Sequence, residues 1–432
     1  MLHTDVESAH IVEPATSVAG ELRVPGDKSI AHRALMLAAM AQGESRIDGL
    51  PEGEDVAATV ACLRGLGVNI DRTGGPARVH GGGWRSFSPP HGALDCANSG
   101  TTMRLLLGLL AGSWVSATLD GDASLKRRPM ARVVEPLRTM GARIESREGR
   151  APLTVTGTRL QGRRLLLSLP SAQVKSALLL AGLSASGPTT VVEPVATRDH
   201  TERLLRAMGT DVHQGAGAVE IRPSHQPLRP INLSVPGDFS SAAFWMAAAA
   251  LRPGWSVTIR EVGLNPSRTA FLHLLQSMGA EIRVDAVDAD IEPLGSVTVT
   301  GRPLRAVTIG AAEVAAAIDE IPALLSVATQ AEGTTVIEGA AELRVKESDR
   351  LATMAEGLRR MGATVDERAD GVSIRGQANL HGATVESHGD HRIAMALAVA
   401  GLVASGPTTV EDADCVAVSY PDFFTDLQGL AK

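Results

Sequence analysis

The fold is indicated by a segment that returns later in the chain. At positions 24–43 it reads VPGDKSIAHRALMLAAMAQG. This is a turn, a polar start, an Ala/Leu-rich run of helix length and a glycine that precedes a strand pattern. The beginning of the segment recurs at 235–240 as VPGDFS, 211 residues further on. A repeat of that length indicates two similar domains rather than a thin solenoid.

The helix-and-strand part of the segment occurs six times. Successive copies are about 70 residues apart, so six units account for nearly all of the 432 residues. The copies cover residues 29–47, 99–119, 171–192, 240–259, 319–337 and 390–410.

A second helix in five of the units ends in Leu or Met followed by glycine. Glycine at that place predicts a left-handed C-cap. Each unit is therefore predicted to run helix, strand, helix, strand, strand, in an α/β fold. We expect one domain at 26–238 and the other at 239–432, with residues 1–25 completing the second. The five glycines are Gly67, Gly141, Gly209, Gly279 and Gly362.

Composition excludes several classes of protein. The net charge of −7 argues against whole-chain attraction to nucleic acid or to an anionic membrane. Apolar runs stay below the roughly 18 residues of a membrane span, and the N-terminus is acidic where a signal peptide would be basic. The three cysteines, Cys62, Cys96 and Cys415, are odd in number, widely spaced in the sequence and free of any C-x-x-C pair, which argues against a disulfide framework or a structural zinc site. We expect a cytoplasmic protein without a metal.

Cationic side chains gather at the starts of the long helices, where unpaired N–H groups and the helix dipole attract anions. N-capping alone would explain the Ser, Asn and Asp residues at these starts. It does not explain the bases, although each base alone would be read as a solvated surface charge. Clustered at equivalent places of a repeat, they predict a cleft for a ligand with several anionic groups. They are Lys28, Arg33, Arg104, Lys175, Arg198, Lys346, Arg350 and Arg392.

Two carboxylates, Asp319 and Glu347, lie near cations of this set. Asp319 can be a cap before a helix that starts at Ile321-Pro322, and Glu347 can belong to a solvated helix start. As functional residues, both would be ionised beside the cations and could act as general bases. The chain has no G-x-x-x-x-G-K-[ST] motif and no G-x-S-x-G motif.

Six ordered motifs at compatible spacings extend over essentially the whole chain. They are Pro25-Gly26-Asp27-Lys28-Ser29 with Arg33, Asn98-Ser99-Gly100-Thr101-Thr102-Met103-Arg104, Lys126-Arg127-Arg128-Pro129-Met130, Ser171-Ala172-Gln173, Arg344-Val345-Lys346-Glu347-Ser348-Asp349-Arg350, and Gly389-Asp390-His391-Arg392. Together these motifs resemble the EPSP synthase (3-phosphoshikimate 1-carboxyvinyltransferase) family.

The resemblance implies an inside-out α/β barrel type of fold, with two similar domains of three βαβαββ repeats each around an interdomain cleft. It also implies transfer of the enolpyruvyl group of phosphoenolpyruvate (PEP) to the 5-hydroxyl of shikimate 3-phosphate, with release of phosphate. This reaction belongs to the shikimate pathway of aromatic amino acid biosynthesis. No metal or organic cofactor is expected, the partners are the two small-molecule substrates, and we expect a monomer.

The resemblance also assigns residues by position. Asp319 would take the proton of the 5-hydroxyl, while Glu347 and Lys28 would serve the PEP methylene, in roles that the sequence leaves exchangeable. The shikimate 3-phosphate set is Lys28, Ser29, Arg33, Ser171, Ala172, Gln173, Thr197, Arg198, Asp319 and Lys346. The PEP set is Lys28, Gly100, Arg128, Gln173, Arg350 and Arg392.

Several positions depart from the family pattern. Ala172 replaces a second serine, Val418 stands where some members have a PEP-binding lysine, and Glu342 stands where some have an asparagine. Leu105 replaces a proline of some relatives and leaves the response to glyphosate open, although Gly100 leaves room for that inhibitor.

Two other functions compete with this interpretation. The sister enolpyruvyl transferase that acts on UDP-N-acetylglucosamine shares the fold and typically uses a loop cysteine. The corresponding loop, 121–129, has an alanine at that place. A non-catalytic anion-binding protein is the other alternative, but binding alone would not need both Asp319 and Glu347 in a site for anions.

Overall fold

The structure is a computed structural model that describes residues 8–223, 226–287 and 289–432. The chain folds into two compact units. Unit 1 contains the described residues up to Pro25, Gly237–Ala289 and Pro293–Lys432. Unit 2 contains Gly26–Pro236 and Asp290–Glu292.

Strands and helices alternate along the chain. The strands are β1 (His10–Val12), β2 (Ala19–Arg23), β3 (Gln42–Asp48), β4 (Asn69–Asp71), β5 (Ala77–Gly82), β6 (Leu94–Asp95), β7 (Ser116–Asp120), β8 (Arg143–Arg147), β9 (Arg150–Thr156), β10 (Arg164–Leu166), β11 (Thr189–Val192), β12 (Val212–Gly215), β13 (Ala218–Ile221), β14 (Asn232–Ser234), β15 (Ser256–Gly263), β16 (Glu281–Val287), β17 (Leu294–Thr300), β18 (Thr308–Ile309), β19 (Thr334–Ile337), β20 (Thr364–Arg368), β21 (Gly371–Arg375), β22 (Thr384–Glu386) and β23 (Thr408–Glu411). The α-helices are α1 (Lys28–Met40), α2 (Glu54–Gly65), α3 (Gly100–Ala111), α4 (Ala123–Arg127), α5 (Ala131–Thr139), α6 (Ala172–Gly182), α7 (His200–Ala207), α8 (Phe239–Ala250), α9 (Ala270–Met278), α10 (Ala311–Ala316), α11 (Ile321–Ala328), α12 (Arg350–Arg360), α13 (His391–Gly401) and α14 (Phe423–Leu430). Two 3₁₀ helices cover Ala341–Val345 and Ala413–Val418.

The sheets of unit 2 share one strand order. They are β14-β3-β5-β4, β6-β7-β9-β8 and β10-β11-β13-β12. In each sheet the first two strands are parallel and the remaining neighbours are antiparallel. A long helix precedes the second strand of each sheet, and α3 and α6 directly connect the parallel pairs β6-β7 and β10-β11.

Unit 1 repeats the same order. Its sheets are β2-β15-β17-β16, β18-β19-β21-β20 and β22-β23-β1, the last with three strands only. Strand β2 directly precedes α1 in the chain but pairs with β15 of unit 1, while β14 precedes α8 but pairs with β3 of unit 2. The α/β fold and its sixfold repeat are thus as the sequence predicts.

Each unit has its own apolar core. In unit 2 the long helices α1, α3 and α6 pack in the interior, and α8, α11 and α13 do the same in unit 1. Every residue of α8 is buried, which matches its lack of a polar face. Within the described residues, none of the helices has the length and apolar character needed to cross a membrane.

The five glycines predicted as left-handed C-caps have that conformation, with φ between 86° and 110°. Gly67 is typical: its N–H donates to Arg64 O, and the next N–H, of Val68, donates to Leu63 O. This pair of bonds is the Schellman motif, and the same pair follows the other four helices. The prediction for these glycines is confirmed.

Candidate active-site residues

Helix α1 carries a lysine at its first position. Asp27 caps the helix, its Oδ1 accepting from Ile30 N at 2.8 Å, so Lys28 follows directly at the positive end of the dipole. The Lys28 Nζ lies 2.9 Å from Asp55 Oδ2, in the first turn of α2. Their side chains are only 14% and 9% exposed, so a carboxylate from the neighbouring helix holds the cation in place.

Helix α3 begins at a glycine because two guanidinium groups need the space. A Cβ on Gly100 would lie 2.6 Å from Arg104 Nη1 and 3.3 Å from Arg128 Nη1. Arg128 is buried and donates to Asn98 Oδ1, and Asn98 Nδ2 donates to Asp122 Oδ2 at 2.6 Å. The turn before α3 therefore holds Arg128 beside the helix start.

Gln173 connects α6 to α3. Its Oε1 accepts from Arg104 Nη1 at 2.7 Å, and its Nε2 donates to Thr101 Oγ1 at 2.9 Å. The two helices pack closely along their length, so Gln173 and Gly100 lie in one neighbourhood with Arg104 and Arg128.

A further group lies at the starts of α1, α6 and α7. Ser171 caps α6, its Oγ accepting from Val174 N at 3.3 Å. Arg198 Nη1 donates to Ser29 Oγ at 3.3 Å, and the Thr197 hydroxyl donates to Glu193 Oε1. The sequence prediction placed Ser29, Ser171, Thr197 and Arg198 in the shikimate 3-phosphate set.

Arg33 and Lys175 are buried inside unit 2. Arg33 is 3% exposed and donates to Ser29 O and to the hydroxyls of Thr201 and Ser176, which joins α1 to α6 and α7. The substrate contact predicted for Arg33 stays a prediction.

Lys175 Nζ lies 2.9 Å from Glu193 Oε2 and 2.8 Å from Glu202 Oε1, and its side chain is 0% exposed. Burial raises the pKa of Glu202, while Lys175 acts in the opposite direction. Lys175, one of the cations at the helix starts, thus forms an internal ion pair and is not part of an open anion site.

In unit 1, one arginine lies at the centre of three carboxylates. Arg350, the first residue of α12, is 1% exposed. Its Nη1 lies 3.3 Å from Asp319 Oδ1, its Nη2 lies 2.6 Å from Glu347 Oε2, and its Nε lies 2.8 Å from Asp390 Oδ2. The two carboxylates predicted to transfer protons are thus held by the same guanidinium group.

Arg392 reaches Asp319 from α13. Its Nη1 donates to Asp319 O at 3.2 Å, and its Nε lies 3.9 Å from Asp319 Oδ1. Asp390 caps α13, with Oδ1 accepting from Arg392 N at 3.0 Å, while Ser348 Oγ donates to Asp390 Oδ2 at 3.1 Å. Asp390 therefore connects the starts of α12 and α13.

The charge of Arg350 is fixed by these neighbours. Burial acts to lower the pKa of Arg350, but the nearby carboxylates of Asp390, Glu347 and Asp319 outweigh burial and raise the pKa above its ordinary value. A guanidinium group that is always protonated orients Asp319 and Glu347 through charge-assisted hydrogen bonds.

A buried network supports the turn that carries Asp319. The next residue, Glu320, is 1% exposed and accepts from the Ser240 hydroxyl and from Arg268 Nη2 at 3.4 Å. Arg268 Nη2 also donates to Ser240 Oγ at 2.7 Å. The start of α11 is therefore anchored to the start of α8 by buried hydrogen bonds directly after Asp319.

The predicted site residues form a set in each unit. In unit 1, Lys346 is the C-cap that follows the first 3₁₀ helix and directly precedes Glu347. The unit 2 set is Lys28, Ser29, Arg33, Gly100, Arg128, Ser171, Ala172, Gln173, Thr197 and Arg198; the unit 1 set is Asp319, Lys346, Glu347, Arg350 and Arg392.

Three residues that bond to predicted site residues were not themselves predicted as site residues. Asn98 and Asp390 lie inside motifs of the sequence, where N-capping was the role suggested for them and no contact with a predicted site residue was expected. Asp55 lies in no motif, and only the folded chain brings it to Lys28. Among the residues that the structure describes, no cluster of three or more His, Cys, Asp or Glu side chains could hold a metal ion.

Comparison with known proteins first defines a class. The chain matches the structure of the enolpyruvyl transferase NikO from Streptomyces tendae with a TM-score of 0.78 at 22% identity, over 99% of this chain and 98% of that one. The fold is therefore that of the enolpyruvyl transferases.

Relatives of higher identity define the family. A structure of EPSP synthase from Acinetobacter baumannii matches with a TM-score of 0.86 at 42% identity, covering 99% of this chain and 98% of that chain. The 3-phosphoshikimate 1-carboxyvinyltransferase of Gloeobacter violaceus is 53% identical over 97% of this chain and 98% of its own length. That of Acidithiobacillus ferrooxidans is 50% identical, with 96% of both chains covered. The family model described as EPSP synthase (3-phosphoshikimate 1-carboxyvinyltransferase) matches residues 12–427, and the chain belongs to this family.

Proposed function

We propose that this protein transfers the enolpyruvyl group of PEP to the 5-hydroxyl of shikimate 3-phosphate. The products are 5-enolpyruvylshikimate 3-phosphate and phosphate. The observation that carries the proposal is the family match over residues 12–427, within which all the predicted site residues lie.

The charges of the two residue sets suit these substrates. Both substrates are polyanions, so they can react with each other only where several cations offset their repulsion. We assign PEP to Lys28, Gly100, Arg128, Gln173, Arg350 and Arg392. We assign shikimate 3-phosphate to Lys28, Ser29, Arg33, Ser171, Ala172, Gln173, Thr197, Arg198, Asp319 and Lys346.

The reaction is an addition followed by an elimination. In the addition, the 5-oxygen bonds to C2 of PEP, the hydroxyl proton leaves and the methylene carbon gains a proton. In the elimination, the bond from C2 to the phosphate oxygen breaks and the methyl carbon loses a proton. We assign the hydroxyl proton to Asp319 and the methylene proton to Glu347 with Lys28.

The geometry of unit 1 supports two separate carboxylate roles. Asp319 and Glu347 bond to different nitrogens of Arg350, so each carboxylate keeps a fixed direction. A carboxylate held by a guanidinium group is ionised, which is the state in which it accepts a proton.

We further propose a monomer in the cytoplasm, with domains at 26–238 and at 239–432 completed by 1–25. Support for the domain assignment comes from β1 and β2, which pair with β23 and β15. The three cysteines are odd in number, far apart in the sequence and without a C-x-x-C pair, which suits a reducing compartment and so supports the cytoplasm.

Release of inorganic phosphate from PEP tests the proposed reaction. The acceptors are shikimate 3-phosphate, shikimate and UDP-N-acetylglucosamine, each with and without a chelator. We expect release with shikimate 3-phosphate alone, unchanged by the chelator. Release with the nucleotide sugar would contradict the proposed acceptor, and no release with any acceptor would contradict catalysis.

A further inference from the structure

A chain of buried side-chain hydrogen bonds crosses unit 2. His32 Nδ1 lies 2.7 Å from Thr59 Oγ1, Thr59 Oγ1 lies 2.7 Å from Thr102 Oγ1, and Thr102 Oγ1 donates to Ser99 Oγ at 2.8 Å. All four side chains belong to residues that are 0% exposed. This hydrogen-bond chain begins on α1, passes through α2 and ends at the N-cap of α3.

The protonation state of His32 gives the chain a direction. Burial lowers the pKa of His32 well below its ordinary value, and the cations Lys28 and Arg33 lower it further, so the imidazole is neutral. Within the described residues, Nε2 of His32 has no hydrogen-bond partner. The hydrogen is therefore best placed on Nδ1, where it meets the Thr59 oxygen instead of being buried unpaired. Thr59 then donates to Thr102, and Thr102 donates to Ser99.

The hydrogen-bond chain ends at Ser99, beside residues that we assign to PEP. Ser99 Oγ accepts the Thr102 N–H at 3.2 Å as the cap of α3. On either side of Ser99 lie Asn98, which binds Arg128, and Gly100, which leaves room for that arginine. A shift of the Ser99 side chain would therefore move the turn on which Arg128 is held.

The same chain touches the helix that holds Lys28. Thr102 Oγ1 lies 3.4 Å from Asp55 O, and the carboxylate of Asp55 is the partner of Lys28. This contact with Asp55 O is longer than the 2.8 Å bond from Thr102 Oγ1 to Ser99 Oγ, so the effect of the hydrogen-bond chain is concentrated at the start of α3.

We propose that His32, Thr59 and Thr102 are positioning residues for PEP. They contact no reacting atom; they fix the N-cap Ser99 and thereby the approach of Arg128 and Gly100 to the substrate. The inference rests on the proposed function, because it names PEP as the ligand of that turn.

The test uses the isosteric variants Thr59→Val and Thr102→Val, with Thr59→Ser and Thr102→Ser as variants that keep the hydroxyl. Steady-state kinetics give KM separately for PEP and for shikimate 3-phosphate. Losing one net hydrogen bond predicts a rise of about five- to tenfold in KM for PEP in the valine variants. KM for shikimate 3-phosphate is expected to change less than about twofold, and the serine variants to behave as wild type.

A double variant shows whether the hydroxyls of Thr59 and Thr102 act as one hydrogen-bond chain or as two independent contacts. If the hydroxyls act as one chain, Thr59→Val with Thr102→Val raises KM for PEP no more than the larger single effect. Independent contacts would instead multiply, to about 25- to 100-fold.

Thr189→Val is the matched control. Thr189 is also a buried threonine of unit 2, and its hydroxyl has no hydrogen-bond partner among the described residues. The KM values of Thr189→Val for PEP and for shikimate 3-phosphate are expected to match those of wild type. If a valine variant does not fold, the alanine variant at the same position replaces it.

Hydrogen exchange separates failure of this inference from failure of the proposed function. Amides at 99–102 are expected to exchange faster in the valine variants than in wild type, whether or not the protein is a transferase. A wild-type protein without phosphate release contradicts the proposed function alone. Folded valine variants with unchanged exchange, unchanged KM for PEP, or equal rises in both KM values would overturn the positioning role.

Discussion

Arg350 is the residue on which the unit 1 site depends. Three carboxylates bond to one buried guanidinium group, and two of them are the proposed proton-transfer residues. A single planar, permanently charged side chain thus sets the directions of Asp319 and Glu347. The sequence predicted Arg350 as a PEP ligand and placed Glu347 three residues before it, but it did not predict that Asp319 and Asp390, from separate segments, bond to the same guanidinium group.

Asp319→Asn tests the role assigned to that carboxylate. The amide keeps the size of the side chain but is not a base, so kcat is expected to fall by about a hundredfold or more. Phosphate-release kinetics measure the loss, and circular dichroism checks the fold. Asp366→Asn, an exposed position of unit 1, is the control and is expected to retain wild-type rates. A normal kcat for Asp319→Asn would contradict the assignment.

His32 predicts how stability depends on pH. The pKa of its imidazole in the folded chain lies well below the ordinary value of 6.5, so the unfolded chain binds a proton that the folded chain does not. Stability contributed by this group is therefore complete above about pH 6.5 and falls below it, by up to about 1.4 kcal/mol per pH unit.

Urea unfolding between pH 7 and pH 5 measures this slope. His32→Asn is expected to flatten it, since asparagine does not titrate. His91→Asn, at an exposed position of the same unit, is expected to leave the slope as in wild type. Equal slopes in wild type and His32→Asn would contradict the buried neutral histidine.

At the scale of elements, most of the predicted site residues lie at or near the starts of helices, and the rest of each long helix contributes to the apolar core. The sequence predicted both, because the Ala/Leu-rich runs and the polar residues before them are local patterns. It also predicted the five left-handed glycines. The sequence did not predict that Lys175, one turn inside α6, forms internal ion pairs. Its partners Glu193 and Glu202 come close to it only in the folded protein.

Gly100→Ala tests the space at the start of α3. The new Cβ would meet the ends of two flexible side chains, Arg104 and Arg128, and not backbone. The fold is therefore expected to survive, while the displaced guanidinium groups bind PEP about tenfold more weakly.

Gly187→Ala is the matched control for this change. A Cβ on Gly187 would meet no atom within 4 Å, so its KM for PEP is expected to equal that of wild type. An unchanged KM in Gly100→Ala would show that the close approach of the two arginines is irrelevant to PEP.

At the scale of the whole molecule, six copies of one sheet arrangement form two units, each with its own core. The repeat was readable in the sequence because helix, glycine and strand recur at a nearly constant period. The sequence predicted that residues 1–25 complete the second domain, but it did not predict the particular pairing of β2 with β15 or of β14 with β3. Each is a short strand whose partner lies far away in the chain, and pairing over such a distance leaves no local pattern.

The central claim is that the enolpyruvyl group is transferred to the hydroxyl of shikimate 3-phosphate. Incubation of the protein with both substrates, followed by mass spectrometry of the product and a phosphate assay, measures the transfer directly. We predict one phosphate released for each molecule of shikimate 3-phosphate converted to its carboxyvinyl ether. Unmodified shikimate 3-phosphate, or phosphate released without formation of the ether, would contradict the account.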